Sequence, residues 1–133
     1  MNYIETHAHI YSTKFDSDRD QIIQDIRDSG IERVYMPNVD VETIAAMLDC
    51  EEKYPGLCIP MMGLHPCDVK EDFHEQLAIM EDWLNKRQFA AVGEIGLDLY
   101  WDKTYFEQQK EALKIQINGM HKPGYFSSQS SFC

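Results

Sequence analysis

The sequence predicts an α/β fold in which four β-strand and α-helix units follow one another. Apolar runs of strand length alternate with segments whose apolar residues recur at helical spacing, and turn residues separate them. The strand runs are almost continuously apolar, which is typical of parallel strands that are covered on both faces. We therefore expect parallel strands with outer helices, and four such units are half of an eightfold barrel.

The composition is typical of a single globular domain and argues against several other classes of protein. Of the 133 residues, 44% are hydrophobic and 26% are charged, which is ordinary for one soluble domain. Neither an apolar run of ~18 residues nor a secretory signal is apparent. The net charge of -11 argues against a protein that holds a long nucleic acid on a basic surface, although bound metal would offset this charge locally. The four cysteines form no Cys-x-x-Cys pair, which favours a reduced, cytoplasmic protein.

The first unit begins with a strand predicted over residues 1–11. His7 and His9 are two residues apart in it, so the alternation of side chains places both on one face. Two imidazoles on one face can reach a single metal ion; the alternative is a pair of core histidines without metal. A helix follows between two turn signals, Asp16-Ser17 at its start and Gly30 at its end.

The second and third units repeat this pattern. The second strand is predicted over 31–36, and Asp40 is expected to cap the next helix. The predicted apolar face of that helix consists of Val41, Ile44, Ala45 and Leu48. The third strand covers 57–63, although Pro60 removes one backbone donor from it. The third helix carries an apolar stripe of Phe73, Leu77, Met80 and Leu84.

The fourth unit ends the regular pattern. Its strand is predicted over 89–95, and Thr104 and Glu107 have the spacing of a capping box before a helix. The expected apolar side of this helix consists of Phe106, Leu113 and Ile117. Residues 118–133 show no strand or helix period and are rich in serine, which predicts a disordered tail after a domain of residues 1–117.

Polar residues follow the predicted strands at one edge of the sheet. His7 and His9 follow the apolar start of the first strand, His65 the third, and Glu94 and Asp98 the fourth. Active sites of parallel α/β folds form at this edge. Two imidazoles and a carboxylate suit Zn²⁺, Mn²⁺ or a similar divalent ion, which activates water and polarises phosphoryl oxygens. The sequence therefore predicts a metal or active site there.

Each site residue has a role and an alternative. Glu94 would bind or bridge metal, or instead cap a helix or form an ion pair. His65 would bind a substrate anion or assist proton transfer, or instead pack a loop. Asp98 would orient a ligand or form a turn. Three aromatic residues could line a base- or sugar-binding wall, or serve packing alone: Tyr100, Trp101 and Tyr105.

Three motifs together resemble the TatD family of metal-dependent hydrolases. They are Thr6-His7-Ala8-His9, Gly63-Leu64-His65-Pro66 and Gly93-Glu94-Ile95-Gly96-Leu97-Asp98, in that order. The resemblance covers residues 1–117. It implies a TIM-barrel metallohydrolase that uses divalent ions (Mg²⁺, Mn²⁺ or Zn²⁺), two of them in a complete member, to cleave phosphodiester bonds of DNA.

The resemblance also implies roles for single residues. His7 and His9 match the family's first metal-binding pair, and Glu94 matches its metal-binding glutamate. His65 matches the histidine of the Gly-Leu-His-Pro loop, which the resemblance places at the substrate pocket and not among the ligands. Glu94 and His65 are the expected catalytic residues. His65 and Asp98 are expected beside the ligands or at the substrate.

Departures from the family pattern modify this expectation. Glu5 stands in place of a usual Asp, and Leu99 in place of a frequent aromatic residue. The family's later metal-binding histidines and aspartate have no match. We therefore expect the C-terminal half of the barrel to be absent and the chain to be a truncated or frameshifted product. Such a product would have weak or no activity. Two alternatives are another His-x-His metallohydrolase (an amidohydrolase or phosphoesterase) and a non-catalytic half-barrel that self-associates through its open edge.

Overall fold

Parallel strands alternate with helices along the chain, as the sequence predicts. The computed structural model describes residues 1–119 and 126–129. One parallel sheet contains β1 (Tyr3–Glu5), β2 (Ile31–Pro37) and β3 (Cys58–Met61), in that order. A second parallel pair contains β4 (Ala91–Ile95) and β5 (Phe126–Gln129). A parallel bridge between Met62 and Val92 connects β3 to β4, so the strands follow one another in chain order.

The helices lie between successive strands. They are α1 (Arg19–Asp28), α2 (Ile44–Lys53), α3 (Phe73–Lys86) and α4 (Phe106–Gly119). Helix α1 packs on β2, α2 on β3, and α4 on β4 and α3. The core between the sheet and the helices includes fully buried Val34, Met36, Met47, Cys58 and Met62. No helix in the described part of the chain is both long and apolar enough to cross a membrane.

Helix ends show where sequence signals succeed and fail. Gly30 ends α1 as predicted, with a φ of 80° that other residues rarely adopt. The predicted cap at Asp16-Ser17 is wrong, because α1 begins at Arg19 after Asp18. Asp40 also does not cap α2 directly; its carboxylate accepts from the backbone N–H of Thr43, in the turn before the helix.

The first strand is shorter than predicted, because β1 ends at Glu5. His7 and His9 follow it in a segment without regular structure, so strand alternation does not account for their shared direction. The chain stays beside β2 there, since the Ala8 N–H donates to the Tyr35 carbonyl. The residues of β1 are exposed, contrary to the expectation of two covered faces, and β1 pairs with β2 alone among the described strands.

The predicted helix faces were correct for α3 and wrong in part for α2. Phe73, Leu77 and Met80 are buried in α3, as their spacing predicts. In α2 the buried face is Ile44, Met47 and Cys50, whereas Ala45 is exposed.

Helix α4 differs most from its prediction. The capping box does not form: the Thr104 hydroxyl donates to Asp102, before the helix begins. The buried residues of α4 are Gln109, Ala112 and Gln116, while Ile117 is exposed. Apolar spacing failed here because the inner face of α4 meets polar backbone groups, which are described below.

The tail contains more structure than predicted. Residues 118 and 119 end α4, and Phe126–Gln129 forms β5 beside β4 in parallel register. The sequence pattern indicated neither element, and the boundary at residue 117 stays a prediction. Residues 120–125 and 130–133, which include His121, lie outside the described part of the chain.

Candidate metal centre

The carboxylate of Glu94 lies at the centre of the candidate site. Glu94 belongs to β4 and is 7% exposed. Its Oε1 lies 3.4 Å from the Nε2 atoms of both His7 and His65, and its Oε2 lies 3.3 Å from Nε2 of His9. One ligand atom from each of His7, His9 and Glu94 lies within 4.8 Å of the others. Three separate strand ends thus bring the predicted residues together.

Glycine makes this convergence sterically feasible. The ends of β3 and β4 approach so closely that a Cβ atom on Gly63 would lie 2.7 Å from the carbonyl carbon and oxygen of Gly93. Real Cβ contacts are essentially never this short, so any side chain at Gly63 would push the two strand ends apart. The missing side chain lets the segment carrying His65 lie against the segment carrying Glu94.

The position of the proton on His9 follows from its neighbour Tyr11. The Tyr11 hydroxyl donates its only hydrogen to the Pro37 carbonyl, at 2.6 Å. It must therefore accept from Nδ1 of His9, 3.0 Å away. Burial raises the pKa of Tyr11 above its ordinary value, so the hydroxyl keeps its proton at neutral pH. In the neutral imidazole of His9, Nε2 is then a lone-pair donor that faces Glu94.

His65 has the opposite arrangement. Its Nδ1 accepts a hydrogen bond from the backbone N–H of Cys67, at 3.0 Å. The proton of neutral His65 therefore lies on Nε2, which faces Oε1 of Glu94. Nε2 of His9 offers a lone pair, whereas Nε2 of His65 offers a proton, so the two imidazoles are suited to different tasks.

The pair formed by His9 and Glu94 fits a cation. Oε2 of Glu94 is buried, and no donor within the described residues satisfies it. Its neighbour Nε2 of His9 is also an acceptor when the imidazole is neutral, and two acceptors 3.3 Å apart repel unless a positive charge lies near both. An imidazole pair and a carboxylate are typical ligands of borderline divalent ions. The donor set therefore fits a divalent metal.

The charge state of Glu94 agrees with this fit. Burial alone raises the pKa of Glu94, but the hydrogen bonds and positive charge of the surrounding imidazoles, when protonated, outweigh burial and lower it to about 2. For His65, burial lowers the pKa, and the interactions with Glu94 raise it by more. The carboxylate is thus ionised at neutral pH, as a metal ligand must be.

Comparison with known proteins agrees with the three motifs. A family model described as TatD related DNase matches residues 4–121.

The chain belongs to the TatD-related DNase family.

Individual TatD-type relatives cover most of this chain. It is 31% identical over 113 residues to YabD of Bacillus subtilis (strain 168), an uncharacterized metal-dependent hydrolase, with 85% of this chain and 44% of YabD covered. It is 28% identical over 110 residues to the 3'-5' ssDNA/RNA exonuclease TatD of Pantoea vagans (strain C9-1), covering 83% of this chain and 42% of that protein. The chain thus spans less than half the length of these relatives.

A solved structure confirms the expected fold. The crystal structure of YjjV, a TatD homologue from Escherichia coli K12, superimposes with a TM-score of 0.79 at 31% sequence identity. The match covers 88% of this chain and 46% of YjjV. The α/β fold with parallel strands is therefore a partial TIM barrel of the TatD type, as predicted.

The remaining predicted residues lie in the segment between β4 and α4. Asp98 is buried; its Oδ1 accepts from the Tyr100 N–H and its Oδ2 from the Cys67 thiol. Asp98 therefore contacts the loop that carries His65. Tyr100 and Trp101 are 76% and 77% exposed and pack edge to face.

Sequence reasoning missed three residues that contact the centre or its loops. Tyr11 orients His9, while Gln109 and Gln116 of α4 bind the backbones at Asp98 and Leu64. The apolar spacing of α4 gave no signal for the glutamines, because it predicts an inner face of Phe106, Leu113 and Ile117 instead. Nothing in the sequence indicates the Tyr11 contact, because its acceptor, Pro37, is 26 residues away.

Proposed function

We propose that His7, His9 and Glu94 bind a divalent metal ion. The observation that supports this most strongly is the unsatisfied Oε2 of Glu94 facing Nε2 of His9, in a group of three ligand atoms within 4.8 Å. Mg²⁺, Mn²⁺ and Zn²⁺ are candidates, and the imidazole pair favours Mn²⁺ or Zn²⁺. The family resemblance implies two ions in a complete member, for which Glu94 would supply the carboxylate ligand.

The proposed reaction is hydrolysis of phosphodiester bonds in DNA or a related oligonucleotide. Family membership supports it, as does the printed activity of the Pantoea vagans relative, a ssDNA/RNA exonuclease. The bound ion would supply activation of water and neutralisation of phosphoryl charge. An amidohydrolase or phosphomonoesterase would use similar chemistry, but no feature of the described residues favours either over a nuclease.

The chain's own residues would bind the ion, hold a proton near the substrate and position the loop of His65. Glu94 holds one acceptor toward the ion and one toward His65. His65 directs its Nε2 proton to the same carboxylate; a substrate oxygen that replaced Oε1 of Glu94 as the acceptor would have its negative charge stabilised, or would receive the proton as a leaving group. Asp98 acts indirectly, by fixing the loop that carries His65 through Cys67.

We propose that these 133 residues alone turn over substrate weakly or not at all, because the described residues group only three ligands. Release of labelled nucleotide from single-stranded DNA with Mn²⁺ tests this. Any hydrolysis should disappear in His7→Ala and persist in the control His74→Ala, whose side chain pairs with Glu111 on the surface. Hydrolysis that survives His7→Ala would contradict the proposed site, and robust wild-type turnover would contradict weak activity. Parallel assays with a phosphomonoester and an amide separate the alternatives.

A base-binding role for the exposed aromatic residues completes the substrate proposal. Trp101 lines a cavity of about 210 Å³ with Tyr105, Lys70 and Asp98, next to the loop of His65. Stacking on such a ring contributes ~1–3 kcal/mol per base. In Trp83→Phe, Trp101 is the remaining tryptophan, and its fluorescence should be quenched by a short oligothymidylate but not by the same phosphate backbone without bases. Equal quenching by both would exclude stacking.

Two further proposals concern the environment of the chain. Strand β1 lies at the end of its sheet and pairs on one side only among the described strands, which supports self-association through this open edge. Light scattering would then give a mass above 15.5 kDa, and a stable monomer would contradict it. Cys50 and Cys58 are buried thiols that form no disulfide within the described residues, which supports a reducing compartment such as the cytoplasm.

A further inference from the structure

Gln109 binds the backbone of Asp98 with both ends of its amide. Its Oε1 accepts from the Asp98 N–H at 2.9 Å, and its Nε2 donates to the Asp98 carbonyl at 2.9 Å. The side chain is 3% exposed. It thus makes the two hydrogen bonds that a neighbouring strand would make to this residue, at a point where β4 has already ended.

Gln116 binds the backbone of the loop after β3 in a similar way. Its Oε1 accepts from the Leu64 N–H at 2.8 Å, and its Nε2 lies 3.5 Å from the Leu64 carbonyl and 3.3 Å from that of Ala112. Leu64 lies just beyond β3 and directly before His65. Gln109 and Gln116 are seven residues apart, so they share one face of α4, and the small Ala112 between them lets the helix approach closely.

Short contacts connect these two loops to Glu94. Asp98 accepts from the Cys67 thiol at 3.0 Å, and the Cys67 N–H donates to Nδ1 of His65 at 3.0 Å. Nε2 of His65 then reaches Glu94 at 3.4 Å. The loop after β3 is thus held from one end by Gln116 and from the other by Asp98, whose backbone Gln109 binds.

We propose that Gln109 and Gln116 are positioning residues, which use α4 as a rigid support to hold His65 in place against Glu94. Neither side chain touches the candidate ligands. Their role differs from packing, because a methionine of similar size would fill the same space without making the hydrogen bonds. His9 provides an internal reference, since Tyr11 orients it without any contribution from α4.

The test compares Gln109→Met with Gln108→Met, a neighbouring half-buried position that makes no hydrogen bond to Asp98 among those described. In ¹⁵N-labelled, metal-free chain, Gln109→Met should accelerate hydrogen exchange of the Asp98 amide and shift the ring nitrogen signals of His65, while those of His9 stay unchanged. Gln108→Met should change none of these. His65 contacts the candidate ligand Glu94, and outer partners of metal ligands typically contribute 10–100-fold to affinity, so displacement of His65 in Gln109→Met should weaken Co²⁺ binding roughly 10-fold.

Three results would overturn the proposal. One is rapid exchange of the Asp98 amide with unchanged His65 signals, which would leave Gln109 a purely local role. A second is an equal shift of His9 and His65, which would indicate general loosening. A third is unchanged Co²⁺ affinity in a variant whose His65 signals have moved. If Gln109→Met fails to fold, Gln116→Met, read at the Leu64 amide, tests the same claim. If wild-type chain binds no Co²⁺, the proposed metal site fails, while the ring signals still test the positioning role.

Discussion

Replacing Tyr11 by phenylalanine isolates one hydroxyl that the sequence does not single out. This hydroxyl donates to the Pro37 carbonyl at 2.6 Å and accepts from Nδ1 of His9 at 3.0 Å. Tyr11→Phe keeps the buried ring and removes both hydrogen bonds. His9 then loses the group that fixes its proton on Nδ1 and its Nε2 lone pair toward Glu94.

The expected magnitudes follow from burial. Tyr11 is 4% exposed, so removal of its hydroxyl leaves the Pro37 carbonyl with one hydrogen-bond donor fewer at a buried position. An unmade buried hydrogen bond costs roughly 1–3 kcal/mol, and we expect the free energy of unfolding to fall by about 1–2 kcal/mol because His9 is in part open to water. Loss of the group that hydrogen-bonds to the other ring nitrogen of a metal-binding histidine weakens metal affinity roughly 10–100-fold, and we expect this range for His9.

Urea unfolding and calorimetric titration with Co²⁺ measure the two effects. Tyr3→Phe is the matched control, because the Tyr3 hydroxyl makes only an exposed contact to the Met1 sulfur among the hydrogen bonds described. We expect the control to change neither quantity measurably. Unchanged Co²⁺ affinity in Tyr11→Phe, with the expected loss of stability, would refute the claim that Tyr11 sets the orientation of His9 for metal.

Two further predictions concern the strand ends and the pH. Gly63→Ala should lower the free energy of unfolding by about 1–3 kcal/mol in urea, since its Cβ would lie 2.7 Å from the Gly93 backbone. Gly119→Ala should not lower it, since no described residue lies within 4 Å of the added Cβ, and equal stability of the two variants would contradict the close approach. Co²⁺ affinity should fall as the pH is lowered from about 8 to about 5, because protons compete for the imidazoles. The pKa of Glu94 is about 2, so its carboxylate stays ionised throughout, and affinity that falls only below about pH 4 would contradict this account.

Features that depend on local patterns were predictable from the sequence. The stripe of α3 is one example, because a helix that covers a sheet with one face must repeat apolar residues at helical spacing. Gly30 is another, since its positive φ excludes most side chains. The convergence of His7, His9, His65 and Glu94 was also predictable, because parallel strands bring their carboxyl ends to a common edge.

Features that depend on long-range polar contacts were not predictable. The apolar residues of α4 suggested an inner face with Ile117, yet the helix buries Gln109 and Gln116, because it covers loop backbone rather than side chains. The strand β5 was missed because Phe126–Gln129 has little apolar character. This strand is defined by its backbone pairing with β4, which the apolar pattern of the sequence does not indicate.

Calorimetric titration of the chain with Co²⁺, beside Glu94→Gln, tests the central claim most directly. The amide introduced by this substitution keeps the size of the side chain but removes its charge, so the variant should fold and bind roughly 100-fold more weakly than wild type. His74→Ala should bind like wild type. Equal binding by wild type and Glu94→Gln would contradict a metal centre built on His7, His9 and Glu94.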